Sequence, residues 1–322
     1  MNGILQVLGV TTPFFALVFL GWVGWRRGWL PMSAIPGMNT FVLWAALPAL
    51  LYRFGAGTPI DRLLDPAVAL TWGIAAAVIV GLAIATTRRG AVGWNDASFG
   101  ALVAAFPNSG FVGVPVLVAL LGAQAAGPVI VTVAIDMVLT TSVCIALSRI
   151  GAGHAGEAVG RMFKGMLTNP LPWAIVLGVL ASAAEFTLPG PLNRLVGLLA
   201  DAASPVALFT LGGVLARSAA AGPAPHGAVD EGWIVAMKLA LHPLAVWLAS
   251  LAVAAMGLPM DPFTLGVLVL AATLPSASNV TMLAERYEAD SGRIAWIVLL
   301  STALAVVSVP LLAAGWVPRV AG

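Results

Sequence analysis

Apolar runs of about 20 residues recur from one end of this chain to the other, parted only by brief polar or Pro/Gly-rich breaks. A helix of about 20 residues is about 30 Å long, the thickness of a bilayer's hydrocarbon core. Reading each run between its breaks predicts ten helices, over residues 4–25, 33–53, 66–87, 95–121, 126–149, 167–186, 196–216, 233–256, 262–288 and 293–316. Composition agrees: 60% of the 322 residues are hydrophobic and 9% charged, whereas a soluble domain carries about 25% charged residues. These figures exclude an ordinary cytosolic enzyme, a secreted disulfide scaffold and a nucleic-acid binder. The single cysteine, Cys144, lies inside an apolar run and has no intramolecular partner. The first run is followed by Arg26 and Arg27 rather than by a small-residue cleavage site, so it reads as a retained helix and not a signal peptide. No run of residues is left for a soluble domain, so function must sit in or beside the membrane.

Ten spans place both termini on one side, and the basic residues choose which. Alternate connections hold Arg26, Arg27, Arg88, Arg89, Arg149, Arg161, Lys164, Arg217, Lys238, Arg286 and Arg293, eleven in all; the others hold Arg53, Arg62, Arg194 and Arg319. Positive-inside bias then predicts a multi-pass protein of the plasma (bacterial inner) membrane with both termini on the non-cytoplasmic side. If Lys238 belongs to a helix, ten to four still points the same way.

The chain also repeats itself. Gly21, Leu30-Pro31 and Pro48-Ala49-Leu50-Leu51 are followed, 157 or 158 residues later, by Gly178, Leu188-Pro189 and Pro205-Val206-Ala207-Leu208. The shift carries the first helix onto the sixth, so each half holds five spans and the halves face opposite ways. The predicted organisation is 1–150 as the first five-helix repeat, 151–165 as a short cytoplasmic loop and 166–322 as the second repeat. Inverted repeats of this kind are a mark of secondary transporters.

The fourth and ninth spans occupy matching places in the two halves, and both are interrupted. One reads Phe106-Pro107-Asn108-Ser109-Gly110-Phe111-Val112-Gly113-Val114-Pro115, the other Leu274-Pro275-Ser276-Ala277-Ser278-Asn279. Proline removes a backbone donor and clashes with the preceding turn, and the glycines permit irregular backbone. Prolines commonly do no more than kink membrane helices. Two polar breaks at equivalent places, however, predict half-helices whose N-termini meet near the midplane. Asn and Ser suit the capping of such segments, and free N–H groups at a dipole's positive end suit a carboxylate. Unwound backbone is tolerated there only against protein or a watery cavity.

The run Asn108-x-Gly110-Phe111-x-Gly113-x-Pro115, with Leu274-Pro275-x-x-x-Asn279 and Ala284-Glu285-x-Tyr287, resembles the auxin efflux carrier family. That family includes the plant PIN auxin exporters and bacterial carriers of malonate and other organic acids. The resemblance spans essentially the whole chain. It implies ten helices with helices 4 and 9 crossing at the midplane, and a substrate site formed around Pro107, Asn108, Pro275 and Asn279. The plant members' long regulatory loop is absent, so kinase control there is not implied.

Asp136, Lys238 and His242 stand out among the ionisable residues inside spans. Asp136 lies near the middle of the fifth, where a charge costs on the order of 2.5–3.5 kcal/mol and must face the interior. It reads as a proton or cation site or an organiser of the binding site, or else as a hydrogen-bonded structural aspartate. Lys238 and His242 are one turn apart and share a face. Lys238 is expected to extend to the cytoplasmic surface, while His242 could respond to pH or simply pack against a free carbonyl. Glu285 and Arg286 mark the cytoplasmic end of the ninth span. Trp22, Trp25, Trp29, Trp94, Trp173, Trp233 and Trp316 fall near span ends and read as interface anchors. Asn39 and Trp44 are candidates to line a pocket.

An intramembrane enzyme finds no support. His154, His226 and His242 form no His-Glu-x-x-His, no second mid-membrane aspartate partners Asp136, and Ser109 has no nearby base in sequence. No cofactor or metal motif is present. A channel or sensor would differ from a carrier in lacking saturable counterflow. Sodium/proton antiporters and bile-acid-type symporters share broken helices in inverted repeats, but cation coordination calls for carboxylates or many oxygens at the breaks. Here the breaks carry Pro107, Asn108, Ser109, Gly110, Pro275, Ser276, Ser278 and Asn279. The expectation is an all-α carrier of a small organic acid, with Asp136, His242 and Asn39 as coupling or pocket candidates. Its partners would be that acid, membrane lipid and a candidate second copy of the chain.

Overall fold

The computed structural model describes residues 2–59, 65–89, 92–150, 170–221 and 228–320. The 151–165 loop with Arg161 and His154 lies outside the described residues, as do Lys164, Arg62, His226 and the side chains of Trp316 and Arg319. Every described element is a helix. In order they are α1 (Asn2–Arg26), α2 (Ala34–Phe41), α3 (Leu47–Ala56), α4 (Pro66–Thr87), α5 (Trp94–Ala105), α6 (Val114–Leu121), α7 (Ala126–Ile135) and α8 (Thr141–Ser148). There follow α9 (Pro170–Ala183), α10 (Gly190–Ala221), α11 (Ala228–Ala236), α12 (His242–Ala255), α13 (Pro262–Ala272), α14 (Asn279–Arg286) and α15 (Ser291–Val320). Wide π-turns at Val42–Ala46, Asp136–Thr140 and Met237–Leu241 join α2 to α3, α7 to α8 and α11 to α12, and a fourth, Ser109–Gly113, leads into α6. Turns of this kind gather at functional positions in helices.

Seven helical stretches are long and apolar enough to cross a membrane: Val7–Arg26, Ala34–Ala56, Pro66–Thr87, Ala123–Ser148, Gly190–Ala220, Asp230–Ala255 and Ser291–Gly315. Shorter apolar segments run over Ser109–Leu121, Pro170–Ala183 and Pro262–Ala272. Two helices, α4 and α13, are preceded by aspartate and begin with proline. Asp65 accepts from the Ala67 N–H (2.8 Å) and Asp261 from the Thr264 N–H (2.9 Å), each satisfying an N-terminal donor that has no partner within its helix. Large apolar side chains such as Phe19, Leu177, Leu198 and Val307 stay exposed on the bundle's outside, the arrangement lipid rather than water rewards.

One set of helices is α1, α3, α9 and α10: α1 packs on α10, α9 on α3, and α10 on α3. A second set is α4, α5, α8, α12 and α13. Glycine allows the first set to approach backbone to backbone. A Cβ at Gly212 would lie 2.1 Å from the Val18 carbonyl oxygen, and one at Gly21 would lie 2.1 Å from that of Phe209. In α9, a Cβ at Gly178 would meet the Tyr52 carbonyl oxygen at 2.9 Å and the Gly55 backbone at 3.1 Å. The two contacts match: Gly21 and Gly178 stand 157 residues apart, as do Gly55 and Gly212.

Two tryptophan expectations are corrected. Trp25 is 3% exposed, packed on Gly213 and the Phe209 ring rather than anchoring at an interface. Trp44 is 61% exposed and is not among the residues lining the cleft that Asn39 lines. Trp29 and Trp173 are exposed, as anchors should be.

The glycine contacts generate the first prediction. Gly212→Ala forces α1 and α10 apart and should cost about 1–3 kcal/mol by overpacking, visible as a lower Tm in detergent. Gly197→Ala, with nothing within 4 Å of the added Cβ, should not lower Tm, since alanine is the better helix former.

Candidate functional site

The two breaks touch. Pro107 and Ser276 form an isolated antiparallel bridge, in which the Asn108 N–H donates to the Pro275 carbonyl (2.8 Å) and the Ala277 N–H to that of Phe106 (3.0 Å). Further bonds repair what the breaks remove. Pro107 has no N–H for the carbonyl one turn back, Val103, and the Ser276 hydroxyl donates to it instead (2.8 Å). The Ser276 N–H turns away to the Ser301 hydroxyl oxygen (3.2 Å). The carbonyl one turn before it, Ala272, ends α13 and accepts from Lys238 Nζ (2.7 Å). The expectation that Asn and Ser cap the new segments is not met, since Asn108 and Ser278 hold the capping positions without a side-chain bond. Asn108 caps with its carbonyl, which accepts from both Val112 and Gly113 (3.0 Å each). Its Nδ2 and the Ser109 hydroxyl are buried without a partner, and Gly110 is half-buried beside them.

Beside the second break lies a cleft walled by α2, α10 and the start of α14. Asn39, Leu43, Phe111, Val214, Arg217, Ser278, Asn279, Thr281 and Met282 line it. It is nearly shut: its volume of about 10 Å³ is room for about one water. Asn39 Nδ2 reaches Met282 Sδ at 3.7 Å across it, and Thr281 is 6% exposed with its hydroxyl unpartnered. Three sequence candidates, Asn39, Ser278 and Asn279, therefore share one cleft. Pro107, Asn108, Ser109, Gly110, Pro275 and Ser276 lie at the bridge and are not among its lining.

Asp136 and His242 belong to a second, fully buried cluster. Trp72 Nε1 (3.0 Å) and the Thr140 hydroxyl (3.0 Å) both donate to Asp136 Oδ1, while Oδ2 has no partner. The Trp72 ring packs on the His242 ring at 5.2 Å between centroids. Lys238 Nζ lies 2.9 Å from His242 Nδ1. With Lys238 as an ammonium, which can only donate, Nδ1 accepts and the ring proton sits on Nε2; Nε2 has no partner. The chain Asp136–Trp72–His242–Lys238 thus ends on the Ala272 carbonyl at the break. Lys238 does not extend to a surface. It is 0% exposed, held inside by a carbonyl that lost its helical donor.

Comparison with known proteins now bears on this geometry. A family model described as "Membrane transport protein" matches residues 7–313. A chain of Rhizobium meliloti (strain 1021) named "Putative malonate transporter" is 31% identical over 311 residues, covering 94% of each chain. An "Uncharacterized transporter" of Methanothermobacter thermautotrophicus is 29% identical over 301 residues, covering 92% of this chain and 93% of that one. The chain belongs to the membrane transport protein family, the auxin efflux carriers. It is a multi-pass membrane transporter and not an enzyme.

Sequence reading of this transporter missed three things. Trp72 stands in an α4 stretch that is apolar apart from Thr71, so no charged neighbour marks it; a tryptophan two turns inside a span was the available signal. Arg217 was counted only as a topology charge. Arg293 was counted likewise, yet it is 1% exposed, ion-paired with Asp230 and donating to the Asp96 carbonyl (2.9 Å). Asp290 accepts from the Arg293 N–H (2.9 Å) and donates its own N–H to Asp96 (2.8 Å). This knot ties the starts of α5, α11 and α15, all at the basic end.

Because Ser276 supplies the donor that Pro107 lacks, Ser276→Ala should leave the buried Val103 carbonyl unpaired and cost about 1–3 kcal/mol. A thermal-shift measurement should show this loss even with no substrate present.

Proposed function

We propose that the transporter is a secondary carrier exporting a small organic anion, a carboxylate, by alternating access around the two breaks. The observation that carries the reading is the cleft, where amide, hydroxyl and guanidinium donors from α2, α10 and α14 converge beside unwound backbone. Lined by neutral donors and one arginine, and with no carboxylate, it suits an anion and not a metal ion. The malonate named for the Rhizobium relative is a carboxylate of the size such a site would take.

The ten-span architecture belongs to this proposal. At 1.5 Å per residue, α5 is about 18 Å long and the Ser109–Leu121 segment about 20 Å, and neither alone crosses about 30 Å. Joined through their break they do, and α13 with α14 makes the matching pair. Two five-helix halves of opposite orientation account for the matched glycine contacts at a spacing of 157 residues. They also account for the meeting of Pro107 with Ser276, as two helices crossing at the midplane. Positive-inside bias makes the basic end cytoplasmic and leaves both termini outside. Arg217, in the last turns of α10, stands at that basic end, so the cleft is reached from the cytoplasm, the side from which an exporter loads. In this reading Asn279, Ser278 and Asn39 bind the carboxylate. Asn108 and Ser109, whose buried polar atoms lack partners, join them as the cleft widens.

The test is counterflow of labelled carboxylates in proteoliposomes. Asn279→Ala and Asn108→Ala should each lower transport at least tenfold, about the loss of one well-placed hydrogen bond to a charge, with membrane insertion unchanged. Native kinetics in both variants would remove the assignment.

Coupling to protons is a second reading, favoured by one observation: Asp136 Oδ2 and His242 Nε2 are both buried and unpartnered. If Asp136 exchanges a proton each cycle, transport by the native chain should vary across a pH series while Asp136→Asn gives a flat, lower profile. A variant as active and as pH-dependent as the native chain would leave Asp136 a structural residue.

A further inference from the structure

The broken end of α13 is finished differently from that of α5. At α5 the last carbonyls take neutral donors: Leu102 accepts from the Phe106 N–H (2.8 Å) and Val103 from the Ser276 hydroxyl (2.8 Å). At α13 the carbonyls of Val269, Leu270 and Ala271 are likewise covered by neutral groups, the N–H groups of Thr273 and Leu274. Ala272 instead takes Lys238 Nζ at 2.7 Å. A neutral donor satisfies such a carbonyl, as Ser276 does for Val103, whereas a charge inside a span is costly. Lys238 is 0% exposed, so the hydrogen bond alone does not account for a lysine here. The positive charge itself has a use.

The surroundings of Nζ are those of a bound cation. The Ala272 oxygen lies at the negative end of the α13 dipole, and His242 Nδ1 at 2.9 Å is a second acceptor. The Trp72 ring backs the imidazole and ties it to Asp136 (3.0 Å). Asp136, also 0% exposed, is near enough for its charge and that of Lys238 to interact. In carriers built on discontinuous helices, unwound carbonyls and half-helix C-terminal ends are where a coupling sodium ion is held. Here a side chain delivers the positive charge to that place.

We propose that the end of α13 is a monovalent-cation site filled by the chain's own Lys238 ammonium, which stands in for a dissociable coupling ion. Transport then needs neither sodium nor potassium, and cutting the tethered charge away opens the site to a free cation. The site itself does not depend on what is carried; only its consequence for transport rests on the carboxylate-carrier reading above.

The native chain, Lys238→Ala and Lys238→Met are each purified and reconstituted in sodium, potassium, choline or n-propylammonium chloride. The last of these cations is the portion of the side chain that Lys238→Ala deletes. Tm is read without substrate, and counterflow with labelled carboxylate. The native chain should behave alike in every salt. Lys238→Ala in choline should lose several degrees of Tm, having left the Ala272 carbonyl and Asp136 without their cation, and at least about tenfold in counterflow. Rising n-propylammonium should restore both to a plateau, and propan-1-ol, of the same size but uncharged, should restore neither. Lys238→Met fills the space without the charge, and its counterflow should stay at least about tenfold low in every salt. A native chain that requires sodium or potassium overturns the proposal without recourse to any variant. So does Lys238→Met with native counterflow, or a Lys238→Ala chain that no cation restores or that propan-1-ol restores equally. Failure of the carrier reading is a different result: the native chain carries no carboxylate, and the Tm responses still decide the site.

Discussion

The structure depends on an exchange of backbone hydrogen bonds between two broken helices. In hydrocarbon an unpaired N–H or C=O costs several kcal/mol, so a helix cannot unwind unless something replaces its lost bonds. Here each break supplies the other. Asn108 donates to Pro275 and Ala277 to Phe106, while Ser276 covers the Val103 carbonyl that Pro107 exposes. Neither proline is an isolated kink. Each half of the arrangement would be unstable without its counterpart, which fixes the register of α5 against α13 to within a residue.

That register then positions everything else. Lys238 reaches the Ala272 carbonyl only because α13 stops there, and through His242 and Trp72 the bond continues to Asp136. Asp136 and Lys238 both lie within π-turns, Asp136–Thr140 and Met237–Leu241, and both are buried. On the other side, the close glycine contacts bind α1 to α10 and α3 to α9, and set α2 and α10 as the wall facing α14. The cleft lies where α10, locked by glycine contacts, faces α14 just beyond the second break.

How much of this the sequence disclosed follows from the range of each interaction. Helix positions, and the breaks at Pro107 and Pro275, rest on local periodicity and on proline's missing donor, both readable within a few residues. The interior placement of Asp136 followed from the cost of a charge in lipid. Partners were not readable. Ser276 and Val103 are 173 residues apart, Lys238 and Ala272 34, and Arg293 and Asp230 63, and no local pattern states which donor finds which acceptor. Lys238 was misplaced for that reason: its length suggested reaching a surface, but the orphaned carbonyl it meets lies inside. Arg217 was obscured differently, since a residue near a helix end serves topology and can line a cleft at once.

Lys238 also bears on the charge around the break. An ionised Asp136 alone in the bundle would add negative potential there. An ammonium in the same cluster offsets that charge, and the Ala272 carbonyl it holds is the negative end of the α13 dipole. With both offset by one side chain, the positive end of α14 and the Arg217 guanidinium dominate the potential of the cleft. Lys238 thus holds the broken helix together and offsets its negative end.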